Sequence, residues 1–444
     1  MIVCKFGGTS VGDAAAIRRL IGIVTGRQAE QPVLVLSALA RVTDGLLALE
    51  GISAANANRR LDAIVARHAE LAGELGIEPV ASIAADAAAL RGSIAEWTGR
   101  DWTDAERDQV VSHGELWSTR LVAAALAGAG LPAVWVDART LVATDGHHGQ
   151  AVPNQAEITR RARAAVPGLL AAGSIPVTQG FIAAGPDGAT TTLGRGGSDY
   201  TASLLGAALG ADRVEIWTDV DGILSADPRI VPEARLLPEA SYLEAAELAA
   251  FGAKVLHPAT QLPLIAARIP CLVLNSFAPE RPGTRIVAEA RPGLLVTGSP
   301  VRSIAWKRGI TVVNVRAPRA YGAVGFLHQL FGVFARHGVS VDVLASTEVN
   351  VSVTLDDGTD LPSLIADLEP LGAVTIFEGR AIVAVIGIDL RGTRGLSARL
   401  FGAVRDVNIE MISQGASEIN VTFVVREEDG PGAVRALHRE FFAA

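Results

Sequence analysis

Four strings in the chain set cations, glycines and carboxylates at spacings that suit phosphate and a small zwitterion. The first is Lys5-Phe6-Gly7-Gly8-Thr9-Ser10. Glycines let a backbone approach phosphate closely, a helix start offers free N–H groups, and Lys5 adds a full charge. No G-x-x-x-x-G-K-[ST] string occurs, so this is not a Walker loop. A Gly-Gly pair after a strand is also an ordinary tight turn. The second string is Thr190-Thr-Thr-Leu-Gly-Arg-Gly-Gly-Ser-Asp199. Arg195 suits a bidentate grip on a carboxylate, and Gly196 and Gly197 admit a close ligand. Asp199, near a helix start, is placed to hold an ammonium group or a metal, or to act as an N-cap. The third string is His113-Gly114-Glu115 inside a long helical pattern. Glycine costs a helix interior about 1 kcal/mol, so the position asks for a reason; an exposed glutamate is the plain alternative. The fourth runs from Trp217-Thr-Asp-Val-Asp-Gly222 to Ser225-Ala-Asp-Pro-Arg229, with Phe251-Gly-Ala-Lys254 and His257-Pro258 further on. In an open α/β sheet, ligands sit at the carboxyl ends of strands, where Thr218 and Asp219 fall.

Other strings read as decoys. Gly128-Ala-Gly-Leu-Pro-Ala133 has a dinucleotide-like glycine pattern, but it follows a helix and precedes a strand, the reverse of the required order. His147-His148 lacks a third ligand at matching spacing and reads as a solvated loop; no metal ligand set is expected. No Ser-His-Asp or Cys-His arrangement stands out.

The elements that must position these groups follow from hydrophobic period. Ile2–Phe6 and Val33–Leu36 read as buried strands with a helix from Asp13 to about Gly26 between them, a β-α-β start that implies a parallel sheet covered on both faces. Residues 57–127 read as mostly helical, with a Thr103/Glu106 capping box. Strand patterns return at Ala133–Val136, Ile175–Thr178, Arg213–Trp217 and Pro270–Leu274. Residues 1–290 form the first expected domain, an open and mostly parallel α/β sheet between helices. Turn strings at Arg281-Pro-Gly283 and Arg291-Pro-Gly293 precede a new unit. That unit repeats: at an offset of 70, Gly325, Leu330, Phe331, Gly332, Glu348, Asn350 and Val351 fall on identical residues, against about two expected by chance. Each copy reads as a helix and two β-rich segments joined by a turn, Val339–Leu344 into Val349–Leu355 in the first. Two α+β modules are expected, at 300–378 and 379–444, with the strand near 300–316 open to assignment to the second.

Composition sets the outer limits. The 444 residues suggest about two to four domains. With 39 Lys+Arg against 47 Asp+Glu the formal net charge is -8, which argues against general nucleic-acid binding. Two cysteines, Cys4 and Cys271, build neither a disulfide framework nor a four-ligand zinc site. The uncharged run Leu121–Val136 is broken by glycine and proline and is shorter than the ~20 residues of a membrane span. A charge arrives at Lys5, before any signal-peptide core. The expectation is a cytoplasmic protein with no membrane or nucleic-acid partner.

Taken in order, KFGGTSVG, HGE, TTTLGRGGSDYTA, TDVDGI, ADPR and FGAKVLHP resemble the aspartate kinases, over essentially the full length. The repeat resembles the paired ACT (ferredoxin-like) modules of these enzymes. The stretch GFLHQLFGVFARHGVSVDVLASTEV is most similar to the single-function, lysine-sensitive type. The resemblance implies an amino-acid kinase fold that transfers the γ-phosphoryl group of ATP, with Mg²⁺, to the side-chain carboxylate of L-aspartate. The product, 4-phospho-L-aspartate, starts lysine, threonine and methionine biosynthesis. It also implies feedback inhibition by an end-product amino acid, lysine foremost, and a homodimer or tetramer joined through the ACT modules. By matching motif, Lys5, Arg195 and Asp199 would be catalytic. Thr43, Glu115, Arg195, Gly196, Gly197 and Ser198 would bind aspartate. Lys5, Phe6, Gly7, Gly8, Thr218, Asp219, Leu224, Arg229, Lys254 and Val255 would bind nucleotide. Gly325, Leu327, Ser340, Asp342, Ser346, Thr347, Glu348 and Val349 would meet the regulatory amino acid.

Three positions depart from the pattern. Leu224 stands where the family usually has Tyr, Arg41 where lysine-sensitive relatives tend to have Gly, and Ala320 where they tend to have Met. The chemistry fits the resemblance on independent grounds: a carboxylate with pKa near about 3.9 is already a nucleophile at neutral pH, so its phosphorylation needs positioning and charge neutralisation rather than a base. Two alternatives stay open on sequence: a related kinase acting on glutamate, acetylglutamate or a nucleotide, and a catalytically silent amino-acid sensor.

Overall fold

The computed structural model describes residues 1–78, 80–252, 258–290, 299–317 and 324–443, so Lys254, Val255, His257 and Ala320 lie outside the described residues. Two compact units emerge. The first comprises Met1–Ile223, Pro238–Ala245 and Val255–Ala290, and the second comprises Leu224–Leu237, Ala246–Lys254 and Arg291–Ala444.

In the first unit, short apolar runs bounded by turns become strands, and longer periodic stretches become helices. In chain order these are β1 (Ile2–Phe6), α1 (Ala14–Arg27), β2 (Pro32–Leu36), α2 (Val42–Leu47), α3 (Ala54–Glu74), α4 (Ala81–Trp97) and α5 (Asp104–Gly128). Then come β3 (Ala133–Val136), α6 (Gln155–Ala171), β4 (Ile175–Gln179), β5 (Ile182–Ala184), β6 (Thr190–Thr192), α7 (Gly197–Leu209) and β7 (Arg213–Thr218). β8 (Glu239–Ser241), α8 (Tyr242–Ala250), α9 (Pro258–Ala267), β9 (Cys271–Asn275) and β10 (Thr284–Val287) complete the series, and the boundary between the units falls within α8. Asp13 caps α1 by accepting from Ala16 N at 2.7 Å, and Thr103 with Glu106 forms the expected capping box on α5. α5 closes at Gly128, so the dinucleotide-like string marks a helix end.

Eight strands form one sheet in the order β3-β4-β2-β1-β7-β9-β10-β8, parallel except between β9 and β10. Every residue of β1 and β2 is buried, as a parallel sheet covered on both faces requires. Lys5 of β1 pairs with Val35 of β2 on one side and Ile216 of β7 on the other. Chain order therefore diverges at β1, and the crevice at the carboxyl ends of β1 and its neighbours is where such a sheet takes a ligand.

The second unit contains β11 (Val301–Arg316), α10 (Phe326–Arg336), β12 (Leu344–Ser346), β13 (Asn350–Asp356), α11 (Leu361–Leu368), β14 (Ala373–Gly387), α12 (Leu396–Ala403), β15 (Met411–Gln414), β16 (Asn420–Arg426) and α13 (Gly430–Phe442). Its six-stranded sheet runs β12-β13-β11-β14-β16-β15. The helix–strand–strand order of α10, β12, β13 recurs in α12, β15, β16, at the repeat read from the sequence. The two copies share their central strands. Residues 310–316 of β11 pair with 350–356, whereas 301–307 of the same strand pair with 382–387 of β14. Each copy keeps its own core, one around Val313, Leu330, Phe334 and Val353, the other around Val383, Leu400, Phe423 and Phe441. The strand expected over Val339–Leu344 begins only at Leu344. Val339, Val341 and Val343 still alternate inward, but Asp342 and Val343 bond to Thr354 outside a regular ladder, so alternation buries them without a strand.

The compact units do not follow one cut near residue 290. Ile304 N donates to Ser225 O at 2.9 Å, Ser303 Oγ donates to Leu224 O at 2.7 Å, and Ser225 Oγ lies 2.9 Å from His438 Nε2. Ala226 and Val231 add to the core around Phe423. The turn after β7 is thus stitched to the sheet by a backbone bond, by serine hydroxyls and by apolar side chains whose partners lie far off in the chain.

Phe423 is fully buried and meets Phe401 edge-on at 6.1 Å. Phe423→Ala is expected to destabilise the second unit by about 3–5 kcal/mol. Chemical denaturation followed by circular dichroism should show the corresponding fall in midpoint.

Candidate active site

The carboxyl ends of β1, β2 and the segment after β4 converge on a cavity of about 350 Å³. Lys5 and Gly8 line it from β1 and the turn that follows. Thr43 lines it from α2, Glu115 from the middle of α5, and Gly196, Gly197, Ser198 and Asp199 from the start of α7. The first three sequence strings, far apart in the chain, therefore meet at one place.

Lys5 is almost entirely buried, and its Nζ lies 2.6 Å from Asp199 Oδ1. Asp199 falls in the first turn of α7, where the helix dipole favours a carboxylate. Residues 194–199 can pack here because of what they face. A Cβ on Gly180 would come within 2.5 Å of Ser198 Cβ and 2.6 Å of its Cα. Thr201 Oγ1 accepts from Phe181 N at 3.1 Å, holding the segment after β4 against α7.

Glu115 explains the glycine beside it. A Cβ on Gly114 would sit 2.9 Å from Ala38 Cβ, so the glycine lets α5 press against the loop after β2 and turns Glu115 inward. Glu115 is 4% exposed, and its Oε2 has no hydrogen-bond partner. Burial pushes its carboxyl up to about 8, with the backbone N–H of Ala38 pulling the other way. An unpartnered buried carboxyl costs free energy that a donor from a ligand would offset.

The remaining expected residues are less gathered. Arg195 is exposed and outside the cavity lining. Phe6 is buried, stacked on Trp217 at 5.9 Å and outside the cavity lining, with its carbonyl accepting from Ser37 N. Gly7 N donates to Trp217 O. Thr218 and exposed Asp219 stand at the end of β7 and bond to each other. Leu224 and Arg229 count with the second unit; Leu224 bridges to Leu236, and Arg229 is held by Asp227 at 2.6 Å. Lys254 and Val255 lie outside the described residues. Among the regulatory residues, Gly325 precedes α10 with φ 91°, Leu327 is exposed on its first turn, and Ser346 to Val349 form the end of β12 and the turn into β13. Ser340 is exposed, and Asp342 already holds Lys307 Nζ at 2.6 Å.

Asp108 is a structural residue that the sequence reading missed. It is 2% exposed and accepts from Thr192 Oγ1 (2.6 Å), Gly149 N (2.9 Å) and His148 Nδ1 (3.0 Å). It ties β6, just before the Gly194–Asp199 segment, to α5. Asp108 and Glu115 are seven residues apart, on one helix face, but that spacing alone does not single Asp108 out among the acids of α5. The same bond pins His148, while His147 stays exposed and bonds Asp145. Ser37, Ala38, Leu39, Ala40, Asp44 and Phe181 also line the cavity without a motif to announce them.

Gly180→Ala forces Ser198 and the start of α7 to move. The expected outcome is a folded protein with unchanged far-ultraviolet circular dichroism and a lower thermal midpoint, by about 4 °C or more; an unchanged midpoint contradicts the packing described.

Residues 1–275 match the amino acid kinase family, and residues 383–441 match the ACT domain. The chain is 39% identical to the lysine-sensitive aspartokinase 3 of Escherichia coli over 100% of this chain and 99% of that one. It is 36% identical to the chloroplastic aspartokinase 1 of Arabidopsis thaliana over 99% of this chain and 80% of that one. Among solved structures it is similar to E. coli aspartokinase III in complex with aspartate and ADP, with a TM-score of 0.85, 38% identity and full coverage of both chains. With the amino acid kinase fold carrying the cavity and the paired modules following it, the chain belongs to the aspartokinase family.

Proposed function

We propose that the chain is a cytoplasmic aspartate kinase, transferring the γ-phosphoryl group of ATP to the side-chain carboxylate of L-aspartate. The observation that carries this reading is one cavity lined by a largely shielded lysine–carboxylate pair and a buried glutamate whose Oε2 has no partner. Lys5 supplies positive charge where phosphoryl oxygens gather negative charge. Glu115 offers an acceptor for an ammonium group, and Thr43 and Ser198 offer hydroxyls. Arg195, exposed at the start of α7, is assigned to one substrate carboxylate. The attacking carboxylate needs no base. Bonding changes are confined to phosphorus: the side-chain carboxylate oxygen forms the new P–O bond, and ADP leaves with the electrons of the old one.

Gly8 supports nucleotide binding close to the backbone. A Cβ there would meet Ala38 O at 3.0 Å, so the glycine lets the turn after β1 pack closely on the loop after β2 while Gly8 still lines the cavity. Mg²⁺ habitually takes one or two carboxylates together with phosphate oxygens. The described residues contain no cluster of three or more His, Cys, Asp or Glu fit for a metal. Asp199 is the carboxylate assigned to a phosphate-borne Mg²⁺, whose contribution is charge neutralisation.

Regulation follows the same line. E. coli aspartokinase III has been solved with lysine and aspartate in a T-state, 38% identical and with a TM-score of 0.84 to this chain. Feedback inhibition by lysine is assigned here by that likeness; its site at the paired modules, with Asp342 and the Ser346–Val349 turn as contacts, and a homodimer or tetramer are assigned by the resemblance of the sequence motifs. No described helix is long and apolar enough to cross a membrane.

Two experiments test the reading. Hydroxylamine trapping should yield aspartyl hydroxamate from aspartate and ATP, with lysine lowering the rate; no hydroxamate at saturating substrates contradicts the proposal. Glu115 supplies the second. Its raised pKa leaves the carboxyl neutral in the empty protein below about 8, whereas the unfolded chain ionises near 4.5. The neutral form's stabilisation is therefore full below pH 4.5 and is lost as pH rises through about 8. An ammonium ligand favours the ionised form, so aspartate binding releases a proton, and affinity rises from pH 6 to 8. Glu115→Gln should weaken aspartate binding by at least about tenfold and flatten both pH profiles, read by calorimetry and thermal unfolding.

A further inference from the structure

The inference rests on the kinase reading above and concerns Arg41. This residue lines the cavity and precedes α2 in the left-handed region, with φ 68° and ψ 2°. Residues with a Cβ seldom adopt that conformation, and they keep it only where the surroundings over-determine it. Here they do. Ala40 N donates to Gly8 O at 3.2 Å, and Arg67 donates to Ala40 O at 2.8 Å and to Gly12 O at 2.9 Å. Arg41 O in turn accepts from Gly45 N at 3.0 Å. The fold fixes residue 41 in a backbone state that glycine adopts freely. The arginine side chain returns nothing to that fold. It is exposed, and among the described residues its guanidinium makes no hydrogen bond or ion pair.

The charges in the cavity say what a free guanidinium does there. Its lining contains two cations, Lys5 and Arg41, and Lys5 is already paired with Asp199. The proposed substrate brings one ammonium, for which Glu115 waits, and two carboxylates. The side-chain carboxylate must keep a lone pair free to attack phosphorus, and a bidentate guanidinium would hold it back. The α-carboxylate does not react and needs a cation. We propose that Arg41 is a specificity residue that grips the α-carboxylate of the amino diacid, sharing it with Arg195. The planar fork suits a bidentate carboxylate contact, and the αL backbone is maintained to aim it.

The test compares L-aspartate with its α-amide, L-isoasparagine, by hydroxamate trapping in wild type, Arg41→Ala, Arg41→Gly and Arg41→Lys. In the alanine and glycine variants kcat/KM for aspartate should fall roughly tenfold or more. For the α-amide it should change by less than about threefold, because the interaction is already absent. KM for ATP should hold, and Arg41→Lys should fall between. Equal losses on both substrates, a rise in KM for ATP (a guanidinium on phosphate), or no loss in either variant overturns the proposal. So does wild-type behaviour in Arg41→Gly beside a defect in Arg41→Ala, which makes backbone strain the cause. Thermal unfolding confirms that each variant is folded. A wild-type enzyme that forms no acyl phosphate from aspartate refutes the kinase reading itself, and this inference falls with it.

Discussion

Lys5 Nζ rests 2.6 Å from Asp199 Oδ1 in a cleft where both side chains are largely shielded from water. Removing an ammonium and a carboxylate from water costs several kcal/mol each, which their mutual attraction offsets only at close range. The two residues must therefore be delivered together, one by β1 and the other by the first turn of α7. This constraint accounts for much of the first unit. β1 sits between β2 and β7, where chain order diverges, so Lys5 projects at the crevice. α7 starts at Gly197, close against Phe181, so Asp199 arrives on the facing side. Asp108 fixes β6, which leads into that turn.

Glu115 poses the complementary problem. Lys5 and Asp199 are ion-paired within the protein, whereas Glu115 Oε2 is buried with neither an ion pair nor a hydrogen bond. A fold that holds one ion pair and one acid without a counter-charge in the same cavity is prepared for a cation of ligand origin. On the proposed function, such an acid would let the pocket distinguish an amino acid from a simple acid, its carboxyl exchanging a proton for the ammonium group of the ligand.

Much of this was legible in the sequence. The β-α-β start, the Thr103/Glu106 cap, the glycine beside Glu115 and the Gly194–Asp199 string all declared themselves, because each uses residue types with a narrow physical purpose. The repeat in the second unit was visible for the same reason: Gly325 and Gly395 both precede a helix in the left-handed region, with φ 91° and 77°. What was not legible rests on backbone contacts or on distant partners. Leu224–Leu237 joins the second unit through backbone groups, serine hydroxyls and small apolar side chains whose partners lie far off in the chain. β11 and β14 each serve both modules, which a repeat offset cannot reveal. The Phe6 side chain, expected at the nucleotide from its motif, is stacked on Trp217, a partner distant in sequence. Asp108 stood on the face of Glu115, yet one acid among many in a helix carries no signal until its neighbours are known.

The most direct measurement of the central claim is a crystal structure of the protein soaked with L-aspartate and a non-hydrolysable ATP analogue. The account predicts the aspartate ammonium within hydrogen-bond distance of Glu115 Oε2, and the phosphate tail beside Lys5 and the Gly7–Gly8 turn. Both ligands lodged in another cavity, or a Glu115 carboxyl still without a partner in the occupied site, would contradict it.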